Sequence, residues 1–246
     1  MQSLHMSRKW CHLQQLKWMA RGHDPEGVDG TKPGELAVLC PACPQPGMNL
    51  PAVIEEDNWL HALFIGIDAN FHLKQKNIST HVTSNETPVK KSSCVSHKAV
   101  NDADKHPARG LVVNGVGTVE CTRHDFKHPL SVGDLQHGER YVNMDYIFFS
   151  SIKSMASKIP HIVALYDIAC QWHIHLCCRY LRVYNTPHLQ CLTCQAQFSF
   201  NYTPSVGQTD REAPERGWDY LNPAANQTKE MGLGLRRNVL ENLMGD

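Results

Sequence analysis

Two apolar runs in this chain stop at a carboxylate in the same way: Phe64-Ile-Gly-Ile-Asp68 and Val163-Ala-Leu-Tyr-Asp167. Each reads as a buried β-strand with an aspartate at its C-terminal end. A carboxylate beside a buried strand is costly to desolvate unless a hydrogen-bond network, a basic partner or a hard cation compensates it. A third acidic segment, Asp210-Arg-Glu-Ala-Pro-Glu215, follows later in the chain. A single Asp after a strand is ordinarily a turn residue. Two on neighbouring strands, joined by a later Glu, form the plan of a two-metal site in which Mg2+ ions activate attacking and leaving oxygens.

The rest of the pattern is mixed α/β. Residues 4–21 carry Leu4, Trp10, Leu13, Leu16, Trp18 and Met19 among polar residues, which suits an amphipathic helix. Residues 22–34 read as a Gly/Asp/Pro loop, and 37–44 as a short strand running into a Cys knuckle. A central strand is expected from Asn58 to Ile67, ending at Asp68, and residues 74–109 are polar with little expected structure. Leu111–Cys121 predicts a hairpin turning at Asn114-Gly115. Asn143–Ile159 predicts a helix stopped by Pro160, His161–Tyr166 a buried strand, and Ile168–Val183 a helix leaving Asp167. Phe198-Ser-Phe200 and Tyr202 mark a short extended piece, and Pro214 starts a last helical region.

With 246 residues the chain is long enough for one domain with a small N-terminal appendage. A charged fraction of 20% and a hydrophobic fraction of 41% are those of a globular protein. The formal net charge of zero argues against strong uniform attraction to DNA, although basic residues cluster at Lys74/Lys76, Lys90/Lys91 and Arg236/Arg237. No run of eighteen apolar residues occurs, so neither a membrane span nor a signal-peptide core is expected. The ten cysteines are then read as core thiols or metal ligands in a reducing compartment.

Longer motifs carry a family resemblance. Leu135-Gln-His-Gly-Glu-Arg-Tyr-Val-Asn-Met-Asp-Tyr-Ile-Phe-Phe149, Tyr166-Asp-Ile-Ala-Cys-Gln-Trp172 and Val206-Gly-Gln-Thr-Asp-Arg-Glu-Ala-Pro-Glu-Arg-Gly-Trp218 resemble the KDZ (Kyakuja-Dileera-Zisupton) transposases. Asp68-Ala-Asn-Phe-His-Leu-Lys74 resembles that family's first catalytic block, and Cys40-Pro-Ala-Cys-Pro44 its CxC2-like cysteine cluster. The resemblance runs from about Lys32 to Leu240. It implies an RNase H-like transposase core, a mixed sheet flanked by helices, over residues 51–246, after an N-terminal helix and Cys-cluster segment at 1–50. It also implies a catalytic set of Asp68, Asp167 and Glu215, with Glu212 the alternative third acid, holding two Mg2+ or Mn2+ ions. The implied partners are DNA (transposon ends and target) and a full-length transposase, and the implied location is the nucleus.

Two C-x2-H pairs, Cys94/His97 and Cys121/His124, supply ligand types that suit one structural Zn2+. Cys40/Cys43 and Cys191/Cys194 are two further half-sites, the latter better read as core thiols. Asp134, Glu139, Arg140 and Asp145 are read as a solvated, ion-paired helix start, and Trp172 as packing.

Departures from the family pattern shape a last expectation. Asp167 and Glu215 stand forty-eight positions apart, the stretches 74–93 and 179–190 look abbreviated, and Arg211 stands where the family typically has Gly. The reading is a truncated, decayed copy with weak or no transposition activity.

Overall fold

The computed structural model describes residues 2–26, 30–51, 61–77, 110–153, 159, 161–173, 176, 188–190 and 213–245. Helix α1 (Gln2–Trp18) is followed by strands β1 (Leu63–Asn70), β2 (Gln75–Lys76), β3 (Leu111–Val113), β4 (Gly115–Cys121) and β5 (Lys127–Leu135). Then come α2 (Tyr141–Ile152), β6 (Ile162–Tyr166), α3 (Ala169–Trp172) and β7 (His188–Gln190). The chain closes with α4 (Ala213–Leu221), a 3-10 turn (Asn222–Ala224), α5 (Ala225–Thr228) and α6 (Leu233–Gly245). Among the described residues no helix is long and apolar enough to cross a membrane.

Five strands form one mixed sheet in the order β5-β4-β1-β6-β7. β1 lies antiparallel to β4 and parallel to β6, and β6 runs parallel to β7. Strand pleating sends alternate residues to opposite faces, and this divides β1 cleanly. Leu63, Ile65 and Ile67 join the main core with Val119, Ala164, Tyr166 and the α2 residues Met144, Ile147, Phe148 and Ile152. Gly117 and Gly133 leave the room that Ile147 of α2 fills, since a Cβ at either position would stand 2.9 Å from its side chain.

The opposite face is covered by α4 and α6. Gly66, Asp68 and Asn70 of β1 face this way, beside Glu120, Thr118 and Val116 of β4, their respective partners by register. Leu73, Val116, Trp218, Leu221 and Leu240 form the small core beneath the two helices. The buried Arg236 of α6 ties that helix down, pairing with Asp134 of β5 and donating from Nη2 to the Leu73 carbonyl oxygen at 2.9 Å. Arg236 is thus a structural cation, not part of an exposed basic cluster.

Several boundaries differ from expectation. β1 runs through Asp68 to Asn70 because Asp68, Ala69 and Asn70 continue the ladder with Thr118, Gly117 and Val116. Asn114-Gly115 does not close a hairpin: β3 pairs with β2, whereas β4 pairs with β1 and β5. The hairpin is β4–β5, closed at residues 122–126 with Asp125 at φ 58° and a 2.8 Å bond from Cys121 N–H to the Phe126 carbonyl oxygen. Residues 37–40 are irregular rather than a strand and lead into a turn over Cys40–Cys43, with Cys43 N–H donating to the Cys40 carbonyl oxygen. Residues 78–109, the proposed extended piece at 198–202 and much of the expected 168–183 helix lie outside the described residues.

Candidate functional site

The sheet brings the two aspartates together. Ile67 of β1 and Tyr166 of β6 are register partners, and Asp68 and Asp167 are the residues that follow them, Asp68 still within β1 and Asp167 just past the end of β6. Adjacent strands lie about 4.8 Å apart, so the two acids begin from neighbouring backbone positions. Asp167 is exposed in the turn after β6, and Asp68 is partly buried.

Helix α4 carries the third acid to the same place. Its start is fixed by a close approach: a Cβ on Gly66 would lie 3.1 Å from Pro214 Cγ, so Gly66 lets the first turn of α4 settle on β1. Trp218, one helical turn beyond Pro214, donates from Nε1 to Asp68 Oδ2 at 2.6 Å. Glu215 occupies the first turn, exposed, three residues before Trp218. Residues three apart are neighbours on a helix surface, so the tryptophan that grips Asp68 also sets the height of Glu215 above the sheet.

The electrostatics show what this proximity does. Burial pushes the Asp68 carboxyl up to about 6, and the Asp167 and Glu215 carboxylates push the same way. The Ala69 backbone N–H and the Trp218 indole pull it back down. Glu139, buried just before α2, is raised to about 8 by burial, with Asp68 and Asp167 adding to the effect and the Tyr166 hydroxyl opposing it. Acids that disfavour one another's ionisation form a site that a dication would relieve.

Beneath the site lies a buried ion pair. Glu120 of β4, fully buried, pairs with Lys127 of β5, and the Lys127 ammonium stands 4.9 Å from the centre of the Trp218 ring. Burial lowers Lys127 to about 8, while Asp68 draws it back up. At the edge of the site, Arg216 of α4 reaches both carboxylate oxygens of Asp125 in the β4–β5 turn, at 3.0 and 3.2 Å.

Sequence reasoning missed much of this support. Glu139 and Asp145 are buried, not part of a solvated helix start, and Asp134 belongs to the Arg236 pair. Asp145 accepts a 2.6 Å bond from Trp172 Nε1, and Trp172 packs edge-on to Phe148 and Tyr166, so the packing role expected of Trp172 includes a polar anchor. Glu120 and Lys127 gave no motif signal at all. Glu212 lies outside the described residues.

Two of the half-sites meet in the structure. The Sγ atoms of Cys40, Cys43 and Cys121 all lie within 4.8 Å of one another, a grouping that can hold a metal ion such as zinc. Cys94, His97, Cys191 and Cys194 lie outside the described residues. The His124 Nδ1 atom is 3.4 Å from the Sγ of both Cys40 and Cys121.

Fold and site together define a mixed α/β protein with an acidic cluster between two neighbouring strands and the helix packed over them. The family model for the Kyakuja-Dileera-Zisupton transposase matches residues 66–246, and the chain belongs to that family. Family membership points to a transposase that works on DNA. No curated protein and no solved structure shows significant similarity to the chain.

Proposed function

We propose that this chain is a DDE-type DNA transposase with an RNase H-like core, and that Asp68, Asp167 and Glu215 are its catalytic carboxylates. The sheet order supports the core assignment: three consecutive antiparallel strands, then strands added parallel on the other side of β1, with helices on both faces. The observation that carries the site is positional: Asp68 and Asp167 follow the register partners Ile67 and Tyr166, and Trp218, three residues after Glu215, donates to Asp68 Oδ2 at 2.6 Å. Residues from three elements far apart in sequence thus share one local field.

The three carboxylates fit Mg2+ or Mn2+, being hard oxygen donors with no matching surplus of fixed positive charge. Bound there, such ions supply Lewis-acid activation of a water or a DNA 3′-hydroxyl and stabilise the leaving 3′-oxygen. Asp68 offers Oδ1 for this work, because Oδ2 is held by Trp218. Trp218 fixes the carboxylate rotamer, and Glu215 faces solvent, from where a DNA backbone must approach. Neutral Glu139 keeps a further negative charge away from the entering phosphate at pH 7.

Residues 1–50 are assigned to an N-terminal segment and 51–246 to the transposase domain, acting in the nucleus on transposon ends and target DNA, with a full-length transposase as the second partner. The activity assigned to this chain alone is weak, nonspecific nicking. Zero net charge provides little of the phosphate attraction and counterion release on which affinity for DNA ends rests. An inactive, zinc-stabilised remnant that binds DNA or transposase is the second reading, favoured by Arg211 and the forty-eight-position interval between Asp167 and Glu215.

The test is nicking of supercoiled plasmid by purified protein with Mg2+ or Mn2+. Asp68→Ala, Asp167→Ala and Glu215→Ala are each expected to abolish it, and Glu212→Ala to leave it. Metal-dependent nicking that survives Asp68→Ala would refute the assignment. Soluble, folded wild-type protein that never nicks under either metal would select the remnant.

A further inference from the structure

We propose that Cys40, Cys43, Cys121 and His124 form one Cys3His zinc site that staples the N-terminal segment to the β4–β5 turn. This site is separate from the carboxylates and does not depend on their assignment. The geometry rests on two turns that face each other. In the first, Cys40-Pro-Ala-Cys43 folds back with Cys43 N–H donating to the Cys40 carbonyl oxygen at 3.2 Å. In the second, Cys121-Thr-Arg-His124 opens the β4–β5 turn, with Asp125 N–H donating to the Cys121 carbonyl oxygen at 3.1 Å. Each turn places its two donors three positions apart with two residues between them, the spacing that lets both side chains reach one tetrahedral ion.

The distances agree with such an ion. Zn–S bonds of about 2.3 Å and Zn–N bonds of about 2.0 Å imply tetrahedral S···S separations of roughly 3.8 Å and S···N of roughly 3.5 Å. The three sulfurs lie within 4.8 Å of one another, and His124 Nδ1 stands 3.4 Å from two of them. The sulfurs are buried, whereas His124 is exposed and closes the cluster from the solvent side. Three thiols and an imidazole from segments some eighty residues apart converge here.

The knuckle is held in shape by neutral side chains. Gln45 Nε2 donates to the Cys40 carbonyl oxygen at 2.7 Å and Asn49 Nδ2 to the Cys43 carbonyl oxygen at 2.8 Å. Asn49 Oδ1 in turn accepts from Gln45 N–H at 2.7 Å. Such outer contacts fix the ligands' backbone ahead of metal binding. The β4–β5 turn has a second attachment on its far side, the Asp125–Arg216 pair to α4. A metal at Cys121 and His124 therefore stiffens the turn that anchors the helix bearing Glu215.

The test uses the full chain purified under reducing conditions. About one zinc per chain is expected by elemental analysis, and Co2+ exchange should give the d–d bands of a tetrahedral site with thiolate-to-metal charge transfer. His124→Ala should lose most of the zinc or shift the cobalt spectrum, and His124→Cys should restore stoichiometric metal with stronger charge transfer. Cys40→Ser should lose zinc, whereas the Cys94→Ser/His97→Ala double variant should keep it. Should the cysteine variant fail to fold, the two His124 variants still decide the matter. Reduced wild type with far less than one zinc, an unchanged cobalt spectrum in His124→Ala, or zinc lost from Cys94→Ser/His97→Ala would each overturn the proposal.

Discussion

The indole Nε1 of Trp218 donates a 2.6 Å hydrogen bond to Oδ2 of Asp68, joining helix α4 to the central strand β1 at the acidic cluster. A hydrogen bond to a carboxylate contributes about 1.5–3 kcal/mol when both partners are shielded, and this one also lowers the proton affinity of Asp68. Trp218→Phe keeps the ring packed against Leu73, Val116, Leu221 and Leu240 but removes the donor. The expected result is a stability loss of about 1–2 kcal/mol by denaturant titration. The acidic limb of any metal-dependent nicking should also move to higher pH. A limb unmoved by the substitution would separate Trp218 from the site.

Asp68 itself carries a stability–function conflict. Its folded value, about 6, lies above the ordinary 3.8. Between those values the native state binds more protons than the unfolded chain, so stability falls as pH rises. The contribution is fully present below about 3.8 and is lost as pH passes through about 6. Asp68→Asn preserves an acceptor for Trp218 and removes the buried charge. It should raise stability at pH 7 by an amount on the order of 1–3 kcal/mol, seen as a higher melting temperature, while abolishing metal-dependent nicking. The gain should vanish at pH 4, and a gain independent of pH would contradict the linkage.

Gly66 is the third point of leverage, because α4 rests directly on it. A Cβ there would meet both Pro214 and Thr122 at 3.1 Å. Gly66→Val adds two further methyl groups into that contact, and overpacking of this kind costs about 1–3 kcal/mol. The helix must lift, carrying Trp218 and Glu215 with it. Nicking should fall by at least about a hundredfold, since a misplacement of about 1 Å costs that much, with the sheet's far-UV signature retained. Full activity in Gly66→Val would show that the docking of α4 does not position Glu215.

What the sequence disclosed, and what it hid, follows from the range of the interactions. The neighbouring placement of Asp68 and Asp167 was legible because each follows a continuous apolar run, and such runs are local. Pro214 likewise marked the start of α4. The Asn114-Gly115 turn failed because a preferred dipeptide fixes a turn only when both flanking segments lack better partners. Here β4 takes β1 and β5, and β3 is left to β2. Glu139 and Asp145 looked solvated because charge along a chain carries no information about burial, and their shelter comes from β6 and α3. The cysteines show a long-range convergence of the same kind: the β4–β5 turn delivers Cys121 to Cys40 and Cys43, while Cys94 and His97 lie outside the described residues.

The Glu120–Lys127 pair holds the floor of the site. Glu120 is fully buried on β4 and Lys127 nearly so on β5, with the ammonium lying against the Trp218 ring. Gly217 leaves space for the lysine head, since a Cβ there would lie 3.2 Å from Nζ. Removing one member of a buried pair strands the other charge in a poorly solvating environment, at a cost of about 3–5 kcal/mol. Replacing both with neutral groups of similar volume is often neutral or better. Lys127→Met alone should therefore destabilise the fold strongly, because the Glu120 carboxylate remains. Glu120→Gln/Lys127→Met should recover most of that loss in a double-mutant cycle read by denaturant unfolding. Lys127 is also drawn upward in proton affinity by Asp68, so it supplies positive charge to the acidic cluster. The double variant should consequently regain stability without regaining the wild-type pH profile of nicking, its acidic limb displaced upward because Asp68 has lost a nearby cation. Additive losses in the two single variants would show that the pair makes no coupled contribution.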